Sequence, residues 1–195
     1  MCSSTQSIDR CPTECRLSYS TQPWSCKVSL RKTFDEEGRP VGTAENIPFG
    51  PVIKDKKLVE ERIRRAQRAI LSPSKSAETF LSGPDEDPDV RELTFSKNCV
   101  SLEISGQDLT DLSFCDLPGT PSLFPSFDCG AKCIWIGLIA SVGQGGNTSD
   151  IDLVRDLVTT YICKPSCLIL LTVTCESKPH EKCFLSLCRH LCSGL

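Results

Sequence analysis

No stretch of this sequence is apolar for long enough to cross a bilayer. The longest apolar runs, residues 134–139 and 168–173, fall far short of the roughly 20 residues that a spanning helix needs. Nor is there an excess of either charge. Lys and Arg number 22 against 25 Asp and Glu, a net charge of −3, which leaves no electrostatic case for gripping nucleic acid or an anionic membrane. The opening MCSSTQSIDR has no basic start followed by an apolar stretch, so no secretory signal is expected and the chain reads as cytoplasmic. With 39% hydrophobic and 24% charged residues, the 195-residue chain has the composition of one globular domain or a piece of one.

Cysteine is what the sequence has in quantity. Fourteen of 195 residues approaches the level of disulfide scaffolds in short secreted chains. Without a signal that reading weakens, because the cytosol keeps thiols reduced. Zinc is the next candidate. The close pairs Cys11/Cys15, Cys129/Cys133, Cys163/Cys167 and Cys188/Cys192 each enclose three residues, whereas zinc knuckles favour two. Cys183, Cys188, His190 and Cys192 could meet one Zn²⁺, which would make the chain a small zinc or redox protein. The ordinary alternative is free thiols, some buried as small hydrophobes.

Residues 24–34 alternate, with Cys26, Val28 and Leu30 on one side and Lys27, Ser29 and Arg31 on the other, which predicts a half-buried strand broken by Glu37-Gly38-Arg39-Pro40. In residues 55–71, Val59, Ile63, Ala66 and Ile70 recur at helical spacing, and Ser72-Pro73 stops the helix. Its Arg/Lys/Glu-rich side reads as a solvated face. The acidic stretch 83–92 lacks the ligand spacing of a calcium loop and reads as a solvated loop. Val100, Leu102 and Ile104 mark a second strand and residues 112–117 a third. Ile151, Val154, Val158 and Tyr161 mark a second helix. The continuous apolar run CLILLTVTC at 167–175 predicts a strand buried on both faces. That order of elements implies an α/β layer fold with a largely parallel central sheet.

One constellation carries chemistry. The strand LSFC delivers Asp116-Leu117-Pro118-Gly119 at its C-terminal end, where ligands sit in open α/β sheets. In a DxxG motif of P-loop GTPases the Asp holds Mg²⁺ through water. The Gly lets a backbone N–H approach the γ-phosphate, because no Cβ intervenes. Alone the motif is weak, and a strand-ending Pro-Gly turn explains it as well.

The wider context adds to it. RCPTECRL, VEERIRRAQRAIL, CVSLEISGQDLTDLSFCDLPG and LIASVGQGGNTSDIDLVRDLVTTYICKPSCLILLTVTCE follow one another collinearly. Together they resemble the dynamin-like large GTPases, the fungal-type proteins in particular, over residues 10–119 and 138–177. The resemblance implies a P-loop NTPase-type GTPase domain with an incomplete sheet, from a membrane-remodelling or antiviral-type mechanoenzyme. It implies GTP and Mg²⁺ as the family's ligands, self-assembly, and membranes or microtubule-linked organelles as partners. Asp116 would take the Mg²⁺ role and Gly119 the γ-phosphate role. Gly143, Gly145 and Gly146 would belong to the switch II loop.

The departures are as informative. The family's GxxxxGK[ST] loop, which holds the phosphates with backbone amides and a Lys, does not occur. Asp9 stands where the resemblance expects the Mg²⁺-completing Thr of switch I, before Arg10-Cys11-Pro12. Lys178-Pro179-His180 is not the guanine-reading [TN]KxD motif. These residues are therefore expected to bind no GTP, as a truncated GTPase domain or as a non-catalytic interaction module. An isolated chain with the two-faced apolar strand 168–173 is also expected to be poorly soluble.

Residues 120–137 interrupt what would read DLPGLIASVG, and 178–195 form a divergent tail. Codons GGT-ACN at Gly119-Thr120 and ATA-GGN at Ile136-Gly137 would supply the GT and AG of an intron, whose removal restores that motif. The transcript spanning codons 115–140 is expected to exist in a form lacking this insert. A message that always retains it refutes the intron reading.

Overall fold

The computed structural model describes residues 10–35, 37–83, 91–118, 127–128, 132–133 and 148–162. The chain divides into two units, Met1–Pro118 and Gly119–Leu195. In the first, the elements run β1 (Thr13–Tyr19), β2 (Ser25–Phe34), β3 (Pro40–Pro48), a single 3-10 turn (Lys56–Leu58), α1 (Val59–Ile70), α2 (Ala77–Ser82), β4 (Cys99–Gly106) and β5 (Leu112–Asp116). The five strands form one sheet in the order β3-β2-β4-β1-β5.

Alternation in the strands gives this sheet one dry face and one wet face. Cys26, Val28 and Leu30 of β2, Val100 and Leu102 of β4 and Cys15 of β1 are buried on the same side. Lys27, Glu103 and Arg16 lie opposite one another on the other side and are exposed. Slipping β4 by one residue against β2 would turn Val100 and Leu102 out to water. That slip would cost about 1.5–3 kcal/mol for each apolar side chain exposed, so the pattern of buried residues sets the register.

Helix α1 covers the dry face with the stripe its spacing predicts. Ala66 and Ile70 are buried in the core, and Val59 and Ile63 pack against it. Asp55 caps the preceding 3-10 turn, its carboxylate accepting from the Lys57 N–H at 3.0 Å. The charged side of α1 is only in part the solvated face expected of it: Glu60 and Glu61 are exposed, but three of its arginines are held by neighbours. Arg62 Nη1 donates to the carbonyls of Phe49 and Pro51 at 3.1 and 3.3 Å, and Arg65 Nη1 to those of Phe80 and Gly83 at 3.0 and 2.8 Å. The buried Arg68 lies over the Phe80 ring. These guanidiniums tie the helix to the loop after β3 and to α2. Gly50, at φ +80°, lies so close to the Arg62 guanidinium that any Cβ there would collide with it.

The expectation of a largely parallel sheet needs correction. Among the described strands only β1 and β4 pair in parallel; β2–β3, β2–β4 and β1–β5 are antiparallel. The stretch Glu37–Pro40 that breaks the first strand is a hairpin turn, with Gly38 at φ +76°. A turn that short joins only antiparallel neighbours. Strands β1 and β3 and helix α2 had no counterpart among the predicted elements. The strands expected near 26–33, 99–105 and 111–116 and the helix near 55–71 are present.

The hairpin carries a register shift between Lys32 and Phe34. Asn98, just before β4, fills it: its Oδ1 accepts from the N–H groups of Thr33 and Phe34 at 2.8 and 2.9 Å, and its Nδ2 donates to the Phe34 carbonyl at 3.0 Å. One side chain thus satisfies backbone groups of β2 just beyond the point where its pairing with β4 ends, at Arg31 opposite Cys99.

In the second unit, Phe127–Asp128 pairs antiparallel with Lys132–Cys133, as β6 and β7, and α3 spans Thr148–Ile162. Among the described side chains of α3, Val154 and Leu157 are buried and Val158 and Tyr161 half-buried. The remainder of 120–137, the apolar run 167–175 and the tail 178–195 lie outside the described residues.

Replacing Asn98 by Ala strands two N–H groups beside the sheet. It is expected to lower unfolding stability by about 2–3 kcal/mol, measured by urea denaturation of the full chain. A loss within error of zero would show that the irregularity does not depend on this side chain.

Candidate functional site

The Asp116-Leu117-Pro118 part of the DLPG motif stands at one corner of the sheet. Asp116 is the last residue of β5 and is exposed; Leu117 follows half-buried and Pro118 buried. The register of β5 against β1 sets Asp116 directly opposite Thr13, in the row that continues through Val100 and Leu30. The strand therefore does deliver Asp116 at its C-terminal end, as the sequence implied.

The segment leading into β1 is pinned beside it. Val100 N–H donates to the Pro12 carbonyl at 2.9 Å and Ser96 N–H to the Arg10 carbonyl at 3.1 Å. Arg10 places its guanidinium over the Phe95 ring, 5.8 Å from the centroid. Cys11 and Pro12 are fully buried. The Arg10-Cys11-Pro12 stretch and the Asp116 motif, about a hundred residues apart in sequence, thus share one corner of the sheet.

Two side chains at this corner were not singled out from the sequence. Gln67 of α1 is buried and its Nε2 donates to the Thr13 hydroxyl at 3.4 Å. Gln67 lies four residues after Ile63 and three before Ile70, so it is a polar residue on an apolar stripe. That was the signal that could have found it. Thr13 carried none of its own.

Gly119, Gly143, Gly145 and Gly146, and Asp9, lie outside the described residues. A Mg²⁺–triphosphate site needs several converging donors and ligands. Among the described residues this corner offers one carboxylate, one hydroxyl and one amide. No group of three or more His, Cys, Asp and Glu side chains there is placed to hold a metal. The described residues alone do not fit such a ligand.

The five described cysteines of the first unit form no disulfide among themselves. Cys11, Cys15, Cys26 and Cys99 are buried, and Cys115 on β5 is partly exposed. Burial pushes the Cys26 thiol up to about 11; nearby Cys15 adds to the rise and the Arg62 guanidinium opposes it. Burial raises Cys15 as well. The pair Cys11/Cys15 sits in the apolar core rather than in a metal cluster. The pairs 129/133, 163/167 and 188/192, with Cys183 and His190, fall on residues whose side chains lie outside those described.

No helix among the described residues is long and apolar enough to cross a membrane. No protein-family model matches the chain. It is similar to the interferon-induced GTP-binding protein Mx of Dicentrarchus labrax, 30% identical over 152 residues, which is 77% of this chain and 18% of that protein. It is also similar to the interferon-induced GTP-binding protein Mx2 of Sus scrofa, 26% identical over 170 residues, or 87% of this chain and 16% of that one. The chain thus spans less than a fifth of the length of these curated relatives. The likeness is partial and distant, and it relates the chain loosely to the dynamin-like large GTPases.

At pH 8 a thiol with a pKa near 11 is about one part in a thousand thiolate, against about a quarter for an ordinary cysteine. Brief alkylation of the native chain with iodoacetamide, read by peptide mass spectrometry, is therefore expected to label Cys115 and to spare Cys26 and Cys15 until denaturant is added. Equal labelling of all three in the native state would contradict the burial of Cys15 and Cys26.

Proposed function

We propose that these residues are part of a GTPase domain of the dynamin-like kind, in which Asp116 and Gly119 hold the places that serve Mg²⁺ and the γ-phosphate in that family. Gly143, Gly145 and Gly146 belong to the switch II loop on the same reading. The observation that supports it best is the register that sets Asp116 opposite Thr13, next to Arg10-Cys11-Pro12. Two segments that the resemblance assigns to one nucleotide site meet at one corner. The similarity to two GTP-binding proteins of the Mx kind points the same way. The parent activity would be GTP hydrolysis coupled to self-assembly and membrane work in the cytoplasm.

The 195 residues themselves are proposed to be inactive. Phosphoryl transfer of this kind is positioning plus electrostatics. The sequence contains no GxxxxGK[ST] and no [TN]KxD. A micromolar nucleotide complex is worth about 8 kcal/mol, and each charge-assisted hydrogen bond about 1.5–3 kcal/mol. Losing a ring of backbone donors, a Lys and a metal-ligating hydroxyl together removes more than such a complex holds. The second reading, a non-catalytic interaction module, is favoured by the same absence of phosphate-cradling motifs.

Calorimetry of the 195-residue chain is expected to show no saturable heat with GTP up to millimolar concentration, with or without Mg²⁺. Saturable, Mg²⁺-dependent binding that Asp116→Ala abolishes would restore the reading of the chain as an enzyme.

A further inference from the structure

The link between α1 and α2 is fastened to Glu92 and Leu93, in the segment that leads into β4. The Leu71 carbonyl accepts from the N–H groups of both Glu92 and Leu93, at 3.0 and 2.9 Å. In return the Glu92 carboxylate accepts from Ser74, from its N–H at 3.1 Å and from its hydroxyl at 2.5 Å. The Ser74 hydroxyl first, then its N–H and the Lys75 ammonium, hold the Glu92 carboxyl below the usual carboxylate range. Together these bonds form a clasp, and a single hydroxyl proton completes it. From the clasp the chain runs to Phe95, buried beneath the Arg10 guanidinium, and to Ser96, whose N–H donates to the Arg10 carbonyl at 3.1 Å. The clasp therefore anchors the start of the segment that pins Arg10.

We propose that Ser74 is a phosphorylation site whose modification opens this clasp. Three serines stand in the stretch Ser72-Pro73-Ser74-Lys75-Ser76, and the structure separates them. Ser72 is 1% exposed, so its hydroxyl is closed to a kinase in the folded chain. Ser76 is exposed but takes no part in the clasp. Ser74 is exposed, and so are Lys75 and Ser76 after it. A kinase must draw its acceptor residue out of a turn, and little holds this one. The contacts to be given up are the bonds to Glu92 and one turn bond, from Lys75 N–H to the Ser72 carbonyl at 3.1 Å.

The reaction moves the terminal phosphoryl group of a nucleoside triphosphate onto Ser74 Oγ. The O–H bond breaks and its proton passes to the kinase's base. A P–O bond forms at Oγ, and the nucleoside diphosphate leaves. Ser74 Oγ is then an ester oxygen with no proton to give. A group carrying about −1.5 to −2 charges lies against a carboxylate, so a charge-assisted hydrogen bond becomes a repulsion. Lys75, adjacent in the chain, can pair with the phosphate but does not restore the bond to Glu92. This inference does not rest on any nucleotide-binding role of the chain.

Phosphopeptide mass spectrometry of the chain purified from cells that express it is expected to find phosphate on Ser74 and none on Ser72. The full chain made with phosphoserine at position 74 is then compared with the unmodified chain by hydrogen exchange. The Glu92 and Leu93 amides are expected to exchange about tenfold faster once the clasp opens, while the amides of β4 stay as protected as before. Phosphoserine at position 76 is expected to leave exchange at Glu92 and Leu93 unchanged. Glu92→Gln keeps an acceptor for Ser74 but carries no charge, so phosphoserine at position 74 is expected to accelerate exchange less in that background. Five results would each overturn the proposal: no phosphate on Ser74 in cells, unchanged or slower exchange at Glu92 and Leu93, acceleration that spreads through β4, an equal effect from position 76, or an undiminished effect in Glu92→Gln.

Discussion

Strand β4 is the constraint on which the rest of the first unit depends. Cys99–Gly106 is hydrogen-bonded along its length on both sides, to β2 antiparallel and to β1 in parallel. Its alternation of Val100, Leu102 and Ile104 with Ser101, Glu103 and Ser105 decides which face is dry for all its neighbours. Helix α1 docks on that face because its apolar stripe has nowhere else to go. Strand β5 follows β4 after a short loop but cannot pair with it, since β1 already occupies that edge, and it is carried one place further out. The loop is held there by the Asp111 carboxylate, which accepts from Tyr19 N–H at 2.9 Å, and by Gln107 Nε2, which donates to the Thr21 carbonyl at 2.8 Å.

That displacement has two chemical consequences. It brings the Asp116 end of β5 against the start of β1, so the corner that resembles a nucleotide site is a product of strand order and not of sequence proximity. It also leaves β5 last in the sheet among the described strands, with Leu112 and Phe114 half exposed. The polar opposite face, with Arg16, Lys27 and Glu103 exposed, shows that this part of the sheet is built to be covered on one side only.

Arginine gives α1 a role that charge patterning hides. A run of Glu and Arg at helical spacing normally marks a face left to water. Here Arg62 and Arg65 end on carbonyls of neighbouring loops, and Arg68 stacks on Phe80, so three of the charged side chains act as ties. Guanidinium suits this because its fixed fork satisfies two carbonyls at once. The abundant cysteine, among the described residues, proves equally plain: four buried thiols packed as small apolar groups.

Periodicity by itself determined the elements whose faces differ sharply in polarity. The strand around Val28, the strand around Leu102, the strand ending at Asp116, helix α1 and helix α3 were legible because burial writes a period of two or of 3.6 into the chain. Strand β3 was not legible, because PVGTAENIP lies at the edge with scarcely a buried side chain and so carries no such pattern. Strand β1 was obscured by Cys11-Pro12 and by the charges at Glu14 and Arg16. For the candidate site, the sequence identified Asp116 and its place at a strand end. Thr13 opposite it and Gln67 beneath it came only from the tertiary structure, as did the antiparallel character of most of the sheet. Pairing partners are chosen by contacts between residues far apart along the chain. A local pattern records which side of a strand is dry, but not which strand lies beside it.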